Sequence, residues 1–176
     1  MNPVLDALKM RRSIRKFQPD MPDQEDLDQI IEAGLFAASG HNQQSSIIVA
    51  VTDKELRDRL AEMNRLIGGW EKGFDPFYGA PVILAVLADK SVPTHVYDGA
   101  LAMGNMMLAA HALGLGSCWI NRAREEFESE EGKEILRSIG VEGDYEGIGH
   151  CIVGCIDGPE PEAKPRKEGR VFYVGC

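Results

Sequence analysis

The chain has 176 residues, a hydrophobic share of 44% and a formal net charge of −9 at pH 7. This length suits one ordinary domain, so we predict a single domain over residues 1–176. The acidic balance argues against general nucleic-acid binding and against a role on an anionic membrane surface. No apolar run approaches the ~18 residues that span a bilayer, and no secretory apolar segment opens the chain. The sequence therefore predicts a cytoplasmic protein without membrane or nucleic-acid partners.

The first half of the chain alternates between helical and extended patterns. A short helix is predicted to end at Arg11 or Arg12, followed by an extended segment at Ile14–Phe17. A second helix begins after Asp23, with apolar residues at helical spacing. Apolar runs at 47–51 and 81–88 predict buried strands.

The second half predicts the centre of the fold. The stretch from Tyr97 to Leu113 is apolar nearly all round, which is typical of a buried, central helix. Ser117–Ile120 predicts a strand, Glu125–Ile139 one amphipathic helix, and Ile148–Ile156 the last core strand. Alternating helices and strands indicate an α/β or α+β fold with a central sheet.

The tail after Gly158 differs from the rest of the chain. It holds turn residues, few apolar groups and a strand-like end at Val171–Val174. A segment of this kind has no obvious place in its own core. We therefore predict that it lies on a second subunit.

A basic cluster near the N-terminus is the first candidate site. Arg11, Arg12, Arg15 and Lys16 surround Ser13 within six residues of an acidic chain. The forked donors of arginine match phosphate oxygens, and serine adds a hydroxyl. The alternative is a solvated basic helix end, favourable against the C-terminal dipole. Composition alone leaves both interpretations open.

Two further segments carry groups that can bind a ligand. Ser39, Asn42 and Gln44 lie in a polar loop, where amides and hydroxyls can read the edge of a planar heterocycle. The alternative is an ordinary polar loop. The glycines before Ser117 follow a helix and precede a strand, which is the wrong order for a phosphate loop. Backbone donors at Trp119–Ile120 can nevertheless face a ligand.

The segment 68–79 combines glycines with four aromatic residues. Trp70 and Phe74 are candidates to line a substrate site, because flat apolar rings can stack on an aromatic substrate. Packing of the same rings onto the core is the alternative. The four cysteines are predicted to be reduced thiols with packing roles, and their spacing does not predict a metal site.

Taken together and in this order, these segments resemble the nitroreductase family of flavoproteins. LKMRRSIRKF is similar to the family's Arg-Arg-Ser-x-Arg motif, and AASGHNQQSS to its Pro-Ser-x-x-Asn-x-Gln-Pro-Trp loop. DGALAMGNMMLAAHALGLGSCWI resembles the family's central helix and following turn. VGCIDGPEPEAKPRK is similar to its Pro-Arg-Lys end. The chain departs from the pattern at Ala38, where the family usually has proline, and at Ser45-Ser46, which replace Pro-Trp.

The resemblance implies a three-layer sandwich with a central mixed sheet flanked by helices. It also implies a homodimer with FMN between the subunits, which exchange their C-terminal tails. It implies that the cofactor is bound by Arg11, Arg12, Ser13, Arg15, Ser39, Asn42, Gln44, Cys118, Trp119, Ile120, Arg166 and Lys167. Of these, Asn42 and Gln44 would come from the partner subunit. The backbone at Trp119–Ile120 would lie near the reactive nitrogen of the flavin.

The activity implied is two-electron reduction in a ping-pong sequence. NAD(P)H reduces FMN and leaves, and a nitroaromatic, quinone or related acceptor then takes the electrons. No catalytic residue beyond the flavin is expected, because the cofactor carries out the hydride chemistry. The alternatives are reductive dehalogenation or flavin fragmentation on the same fold, a flavin-binding module without turnover, and a phosphate-binding protein without flavin.

Overall fold

The computed structural model describes residues 2–175 and has a four-stranded sheet between two layers of helices. The strands are β1 (Ser46–Val51), β2 (Val82–Asp89), β3 (Gly116–Ile120) and β4 (Tyr145–Gly154). The helices are α1 (Pro3–Met10), α2 (Gln24–Leu35), α3 (Lys54–Gly68), α4 (His95–Ala112), α5 (Ala123–Glu128) and α6 (Glu130–Ser138). The predicted three layers and central sheet are confirmed.

The four strands lie in the order β1-β2-β4-β3, and every neighbouring pair is antiparallel. The prediction of a mixed sheet was therefore wrong for these strands, although an isolated parallel bridge joins Ser13 to Ser117. Strand β2 is central and buried on both faces, which explains why its sequence is a continuous apolar run. Strand β3 is at the edge.

Two apolar clusters fill the space on either side of the sheet. One joins the sheet to α2 and α4 and includes Leu27, Ile30, Met103 and Met106. The other joins it to α3, α5 and α6 and includes Leu60, Phe127 and Ile135. Within residues 2–175, no helix combines the length and apolarity needed to cross a membrane.

The helix predicted over Glu125–Ile139 is two helices, because the chain turns at Ser129. The backbone of Ser129 is extended, and its hydroxyl oxygen accepts a hydrogen bond from Gly132 N at 3.0 Å. This is an N-cap, which starts α6 afresh. A side chain on Gly132 would collide with the Glu126 carbonyl, so the two helices need glycine for their close approach.

The tail contains no strand in the part of the chain that is described. Neither helix nor strand forms at Val171–Val174. The exposed fraction of these four residues lies between 68% and 96%. The predicted strand at these residues was wrong for the single chain, because nothing in the described chain pairs with it.

Helix α4 is buried on one face only. Met103 and Met106 are fully buried, but Tyr97 is 72% exposed and Leu101 is 50% exposed. Phe36, which follows α2, is 80% exposed. The prediction of a central helix is confirmed, yet its outer apolar face is uncovered in one chain.

A buried polar group ties three elements together beneath β3. Glu126 of α5 and His150 of β4 are both fully buried, and Glu126 Oε2 lies 3.0 Å from His150 Nε2. Asn64 of α3 donates to the other Glu126 oxygen and, at 2.8 Å, to the carbonyl of Asn121 just after β3. The network therefore fixes where β3 ends.

Glu126→Ala should lower the free energy of unfolding by about 3–5 kcal/mol. The reason is that the buried His150 Nε2 and one N–H of the buried Asn64 amide each lose their hydrogen-bond partner on Glu126. The adjacent Glu125 is exposed, so Glu125→Ala should change it by less than about 0.5 kcal/mol. Chemical denaturation of both variants measures the difference, and equal stabilities would contradict a structural role for Glu126.

Candidate functional site

The outer edge of β3 offers backbone groups that the sheet does not use. Ile14 N donates to Ser117 O at 2.9 Å, so the N–H and C=O of Ser117 point away from β4. Backbone direction alternates along a strand, so Trp119 points to the same open side. Cys118 and Ile120 point to β4 by the same alternation. Of the backbone donors predicted here, the structure favours Trp119.

The side chains of β3 divide between the two cores. Cys118 and Ile120 are buried in the core, so their side chains do not face the open edge. The indole of Trp119 lies against β4, where a Cβ on Gly149 would come within 2.6 Å of its Nε1. Glycine at position 149 therefore lets the indole lie flat.

The basic cluster runs beside this edge. Ser13 forms the parallel bridge to Ser117, so the segment from Arg11 to Arg15 begins next to β3. Within residues 2–175, none of Arg11, Arg12 and Arg15 has a carboxylate oxygen within 4.0 Å. In a chain with 28 acidic and 19 basic residues, such unpaired cations can serve an anionic ligand.

The cations of the cluster have different surroundings. Arg12 Nη1 donates to the carbonyls of Lys9 and Arg11, both at 2.8 Å, and so caps α1. Lys16 forms a 2.7 Å ion pair with Asp157. The interpretation as a basic helix end thus applies to Arg12. The charge of Lys16 is already paired with that of Asp157. Arg15 is exposed and lies over Tyr78, with its guanidinium carbon 5.9 Å from the ring centroid.

The polar loop at 39–45 adopts a strained backbone. His41, Asn42 and Gln44 all have positive φ, between 49° and 55°. Such residues cost about 1–2 kcal/mol each and persist only where other contacts hold them. Gln44 N donates to Ser39 Oγ at 3.0 Å, which closes the loop on itself. The exposed side chains of Asn42 and Gln44 therefore project from a defined backbone.

Asp98 of α4 supplies the main external contact of this loop, and sequence reasoning missed it. Its carboxylate accepts hydrogen bonds from Gly40 N (3.0 Å), Ser45 Oγ (2.8 Å) and Thr94 Oγ1 (3.1 Å). Burial would raise the pKa of Asp98, but these hydrogen bonds outweigh burial and hold that pKa below its ordinary value. The signal in the sequence was a lone acid at the start of an otherwise apolar helix.

The aromatic segment forms a row that joins two arginines. Trp70 and Phe74 have ring centroids 5.0 Å apart, and Phe74 and Tyr78 are 6.1 Å apart. Arg15 lies over Tyr78 at one end, and Arg122 lies 4.3 Å over Trp70 at the other. Arg15 follows the bridge at Ser13, and Arg122 follows the end of β3. The row therefore runs along the open edge.

The two interpretations of this segment apply to different rings. Phe77 is fully buried and belongs to the core. Phe74 is 36% exposed, and Trp70 and Tyr78 are half-buried. Buried Arg57 holds the segment by pairing with Asp75, whose carboxylate also accepts hydrogen bonds from Phe77 N and Gly79 N.

The tail cations and the cysteines lie apart from this edge in the single chain. Arg166 and Lys167 are fully exposed, and no hydrogen bond or ion pair within residues 2–175 joins them to the basic cluster. Their role in a phosphate clamp stays a prediction.

Burial raises the pKa of the Cys151 thiol to about 12, which makes it inert. Cys118 is buried too, and Cys176 lies outside the described residues.

The profile of the Nitroreductase family matches residues 8–67 and 68–157, and the chain belongs to that family. The fold agrees: a nitroreductase with bound FMN from Bacteroides fragilis superposes with a TM-score of 0.88 at 29% identity, over 99% of this chain and 100% of that one.

Two relatives illustrate the range of the family. An NAD(P)H-dependent FMN reductase of Bacillus subtilis is 32% identical over 146 residues, which is 70% of this chain. The chain spans only 56% of the length of that reductase. An iodotyrosine deiodinase of Thermotoga neapolitana is 27% identical over 98% of both chains.

Asp98→Asn should lower the free energy of unfolding by about 1–3 kcal/mol at neutral pH, because the amide cannot accept from all three donors. The pKa of Asp98 is lowered by folding, so its contribution is present above an aspartate's ordinary pKa and is lost as pH falls through the folded pKa. The variant and the wild type should thus converge below about pH 4. Asp20→Asn is the control, since Asp20 is exposed. Denaturant melts between pH 3 and 7 test this, and a constant difference would contradict it.

Proposed function

We propose that the chain is an FMN-dependent oxidoreductase that uses NAD(P)H to reduce nitroaromatic, quinone or related acceptors by ping-pong two-electron transfer. The observation that carries this proposal is the open edge of β3. It brings together Arg11 and Arg15, which have no carboxylate partner among residues 2–175, and the Trp119 amide, which points away from β4. Family membership and an FMN-bound structural relative support it.

The donor set fits a flavin mononucleotide. Arginines without carboxylate partners suit a phosphate and the electron-rich pyrimidine side of the ring, and a free backbone N–H suits a ring nitrogen. In this proposal Arg11, Arg12, Ser13 and Arg15 bind the cofactor, and the Trp119 amide orients it. FMN, when bound, supplies the hydride chemistry. The chain's own residues bind, orient and shield it.

A homodimer is part of the proposal. The exposed outer face of α4, Phe36 and the apolar end of the tail leave large hydrophobic side chains uncovered. Such surface marks an interaction site. A second copy that covers α4 would receive the tail, bringing Arg166 and Lys167 and the Asn42–Gln44 loop to the partner's cofactor.

Reductive dehalogenation is the second candidate. The deiodinase of Thermotoga neapolitana aligns end to end with this chain, whereas the FMN reductase is nearly twice as long as the aligned part. Dehalogenation would use the same flavin and the same open edge. The acceptor, and not the cofactor, distinguishes the two reactions.

An absorption spectrum of the purified protein, before and after anaerobic NAD(P)H, tests the proposal. Bound flavin should give visible bands that bleach on addition of NAD(P)H and return when a quinone or nitroarene is added. A colourless protein that also fails to bind added FMN would overturn it. Yellow protein that NAD(P)H does not bleach would favour a flavin-binding module.

Arg15→Ala should weaken FMN binding by one to two orders of magnitude, from a charge-assisted interaction of ~1.5–3 kcal/mol. Lys16→Ala removes the same charge one residue away. Because Lys16 is paired with Asp157, the FMN affinity of this variant should stay near the wild-type value. Fluorescence titration of the apo proteins compares them. Equal affinities for all three would remove Arg15 from the site.

Deleting residues 160–176 should produce a monomer that has lost flavin. The physical reason is that the deletion removes both the apolar tail and the cations Arg166 and Lys167. The double variant Arg166→Ala/Lys167→Ala keeps the apolar tail, so it should stay dimeric while binding FMN more weakly. Light scattering with absorbance reads both properties. A truncated protein that remains dimeric and yellow would contradict tail exchange.

Trp70→Ala and Phe74→Ala should change kcat/KM unequally across acceptors and leave FMN affinity nearly constant. Stacking on these rings contributes ~0.5–1.5 kcal/mol per pair beyond burial. Planar quinones and nitroarenes should therefore lose more than a small aliphatic enone. Phe77→Leu is the packing control, since Phe77 is buried. Equal losses on all acceptors would mean that the row does not select the substrate.

A further inference from the structure

An open cavity of about 430 Å³ lies beyond the end of β3, on the α4 side of the sheet. Its lining includes Trp119 and Arg122 from β3 and the turn after it, Val96 and Ala100 from α4, and Ile148 from β4. The cavity thus shares Trp119 with the open edge. Val96, Ala100, Ile148 and the Trp119 ring form an apolar wall beside polar and charged lining residues, and the size of the cavity suits one aromatic ring with a small substituent.

Arg122 is the cation of this cavity that has no counter-charge. Among residues 2–175 no carboxylate oxygen lies within 4.0 Å of its guanidinium, which is held over the Trp70 ring at 4.3 Å. Arg124, which also lines the cavity, lies 3.3 Å from Glu128 and 3.7 Å from Glu146.

The carboxylates near the cavity are placed differently. Glu146 also lies 3.4 Å from His95 Nε2, so its oxygens already face two partners. Glu125 is exposed at the rim. Neither carboxylate lies within 4.0 Å of Arg122.

The backbone of Arg122 supports a role for its side chain. Its φ of 79° lies in the left-handed region, where glycine is the favoured residue. Arginine at this position keeps a strained backbone while its guanidinium reaches the aromatic row. An observed outlier of this kind is a pointer to function.

A second polar group at the cavity also lacks a partner. Trp119 Nε1 is buried, and it has no hydrogen-bond acceptor within the described residues. The side chain that carries it lines the cavity. This N–H lies against Gly149 of β4 and is closed to solvent, so the indole offers its ring, and not its N–H, to the cavity.

We propose that this cavity binds the acceptor, that Arg122 recognises an anionic group on it, and that the preferred acceptors are therefore aromatic carboxylates or similar aromatic anions. The inference rests on the proposed function and specifies its substrate class. The ring would lie against the apolar wall and Trp119. Arg122 would pair with the carboxylate and stay stacked on Trp70.

Two matched acceptors test the charge alone. The wild type should reduce 4-nitrobenzoate with a higher kcat/KM than 4-nitrobenzamide, its neutral isostere. Arg122→Gly keeps the left-handed backbone and removes the cation, so it should lose about tenfold on 4-nitrobenzoate and little on 4-nitrobenzamide. Arg122→Lys should restore part of the preference. Arg59→Gln is the net-charge control, since Arg59 is paired with Glu131 elsewhere on the surface.

A binding measurement separates this inference from the proposed function. Calorimetric titration with benzoate and benzamide needs no turnover, and benzoate should bind more tightly to the wild type but not to Arg122→Gly. If the protein turns over both acceptors with no charge preference, the inference fails while the function stands. A rise in KM for NADH or NADPH in Arg122→Gly, without a change in benzoate affinity, would assign Arg122 to the phosphates of the donor and overturn it.

Discussion

The open edge of β3 is the constraint on which the rest of the site depends. An antiparallel sheet with the order β1-β2-β4-β3 leaves one long side of β3 without a neighbouring strand, and only Ser117 is bonded there, to Ile14. Unpaired strand edges invite aggregation unless something covers them. In this protein the basic segment pairs with that edge at Ser117, and the aromatic row flanks it. The backbone donor at Trp119 therefore remains available, and charged and aromatic side chains surround it.

Buried charges hold the exposed candidate segments in place on both sides of the sheet. Asp98 fixes the 39–45 loop through hydrogen bonds from Gly40 and Ser45, and Arg57 fixes the aromatic segment through Asp75 and the Ala80 carbonyl. Each buried charge has several partners, which offsets its desolvation. Rigid support of this kind lets exposed side chains keep one geometry, as a binding site requires.

The sequence predicted the helices and strands whose residue pattern is set by which of their faces are buried. The β2 run, the helical period of α2 and the apolar α4 were all predictable, because burial on one or both faces sets the residue pattern. The break at Ser129 was missed, since a cap inside a charged stretch resembles a continuous helix. Asp98 was missed because two of its three donors, on Gly40 and Ser45, lie more than fifty positions away in the chain. The Val171–Val174 strand needs a partner that the single chain does not supply.

The arrangement of charge along the edge gives the site a direction. Lys16, Arg59, Arg65 and Arg124 have carboxylate partners, whereas Arg11, Arg15 and Arg122 have none among residues 2–175. These three cations lie near opposite ends of β3. The two ends of this five-residue strand are about 13 Å apart, at ~3.3 Å per residue. One anionic group cannot contact both ends at once. A cofactor phosphate bound near Arg11 would therefore not compete with an acceptor anion at Arg122, and the aromatic row between them offers apolar surface. A site with this polarity can keep its cofactor in place while donor and acceptor exchange, which is what a ping-pong sequence requires.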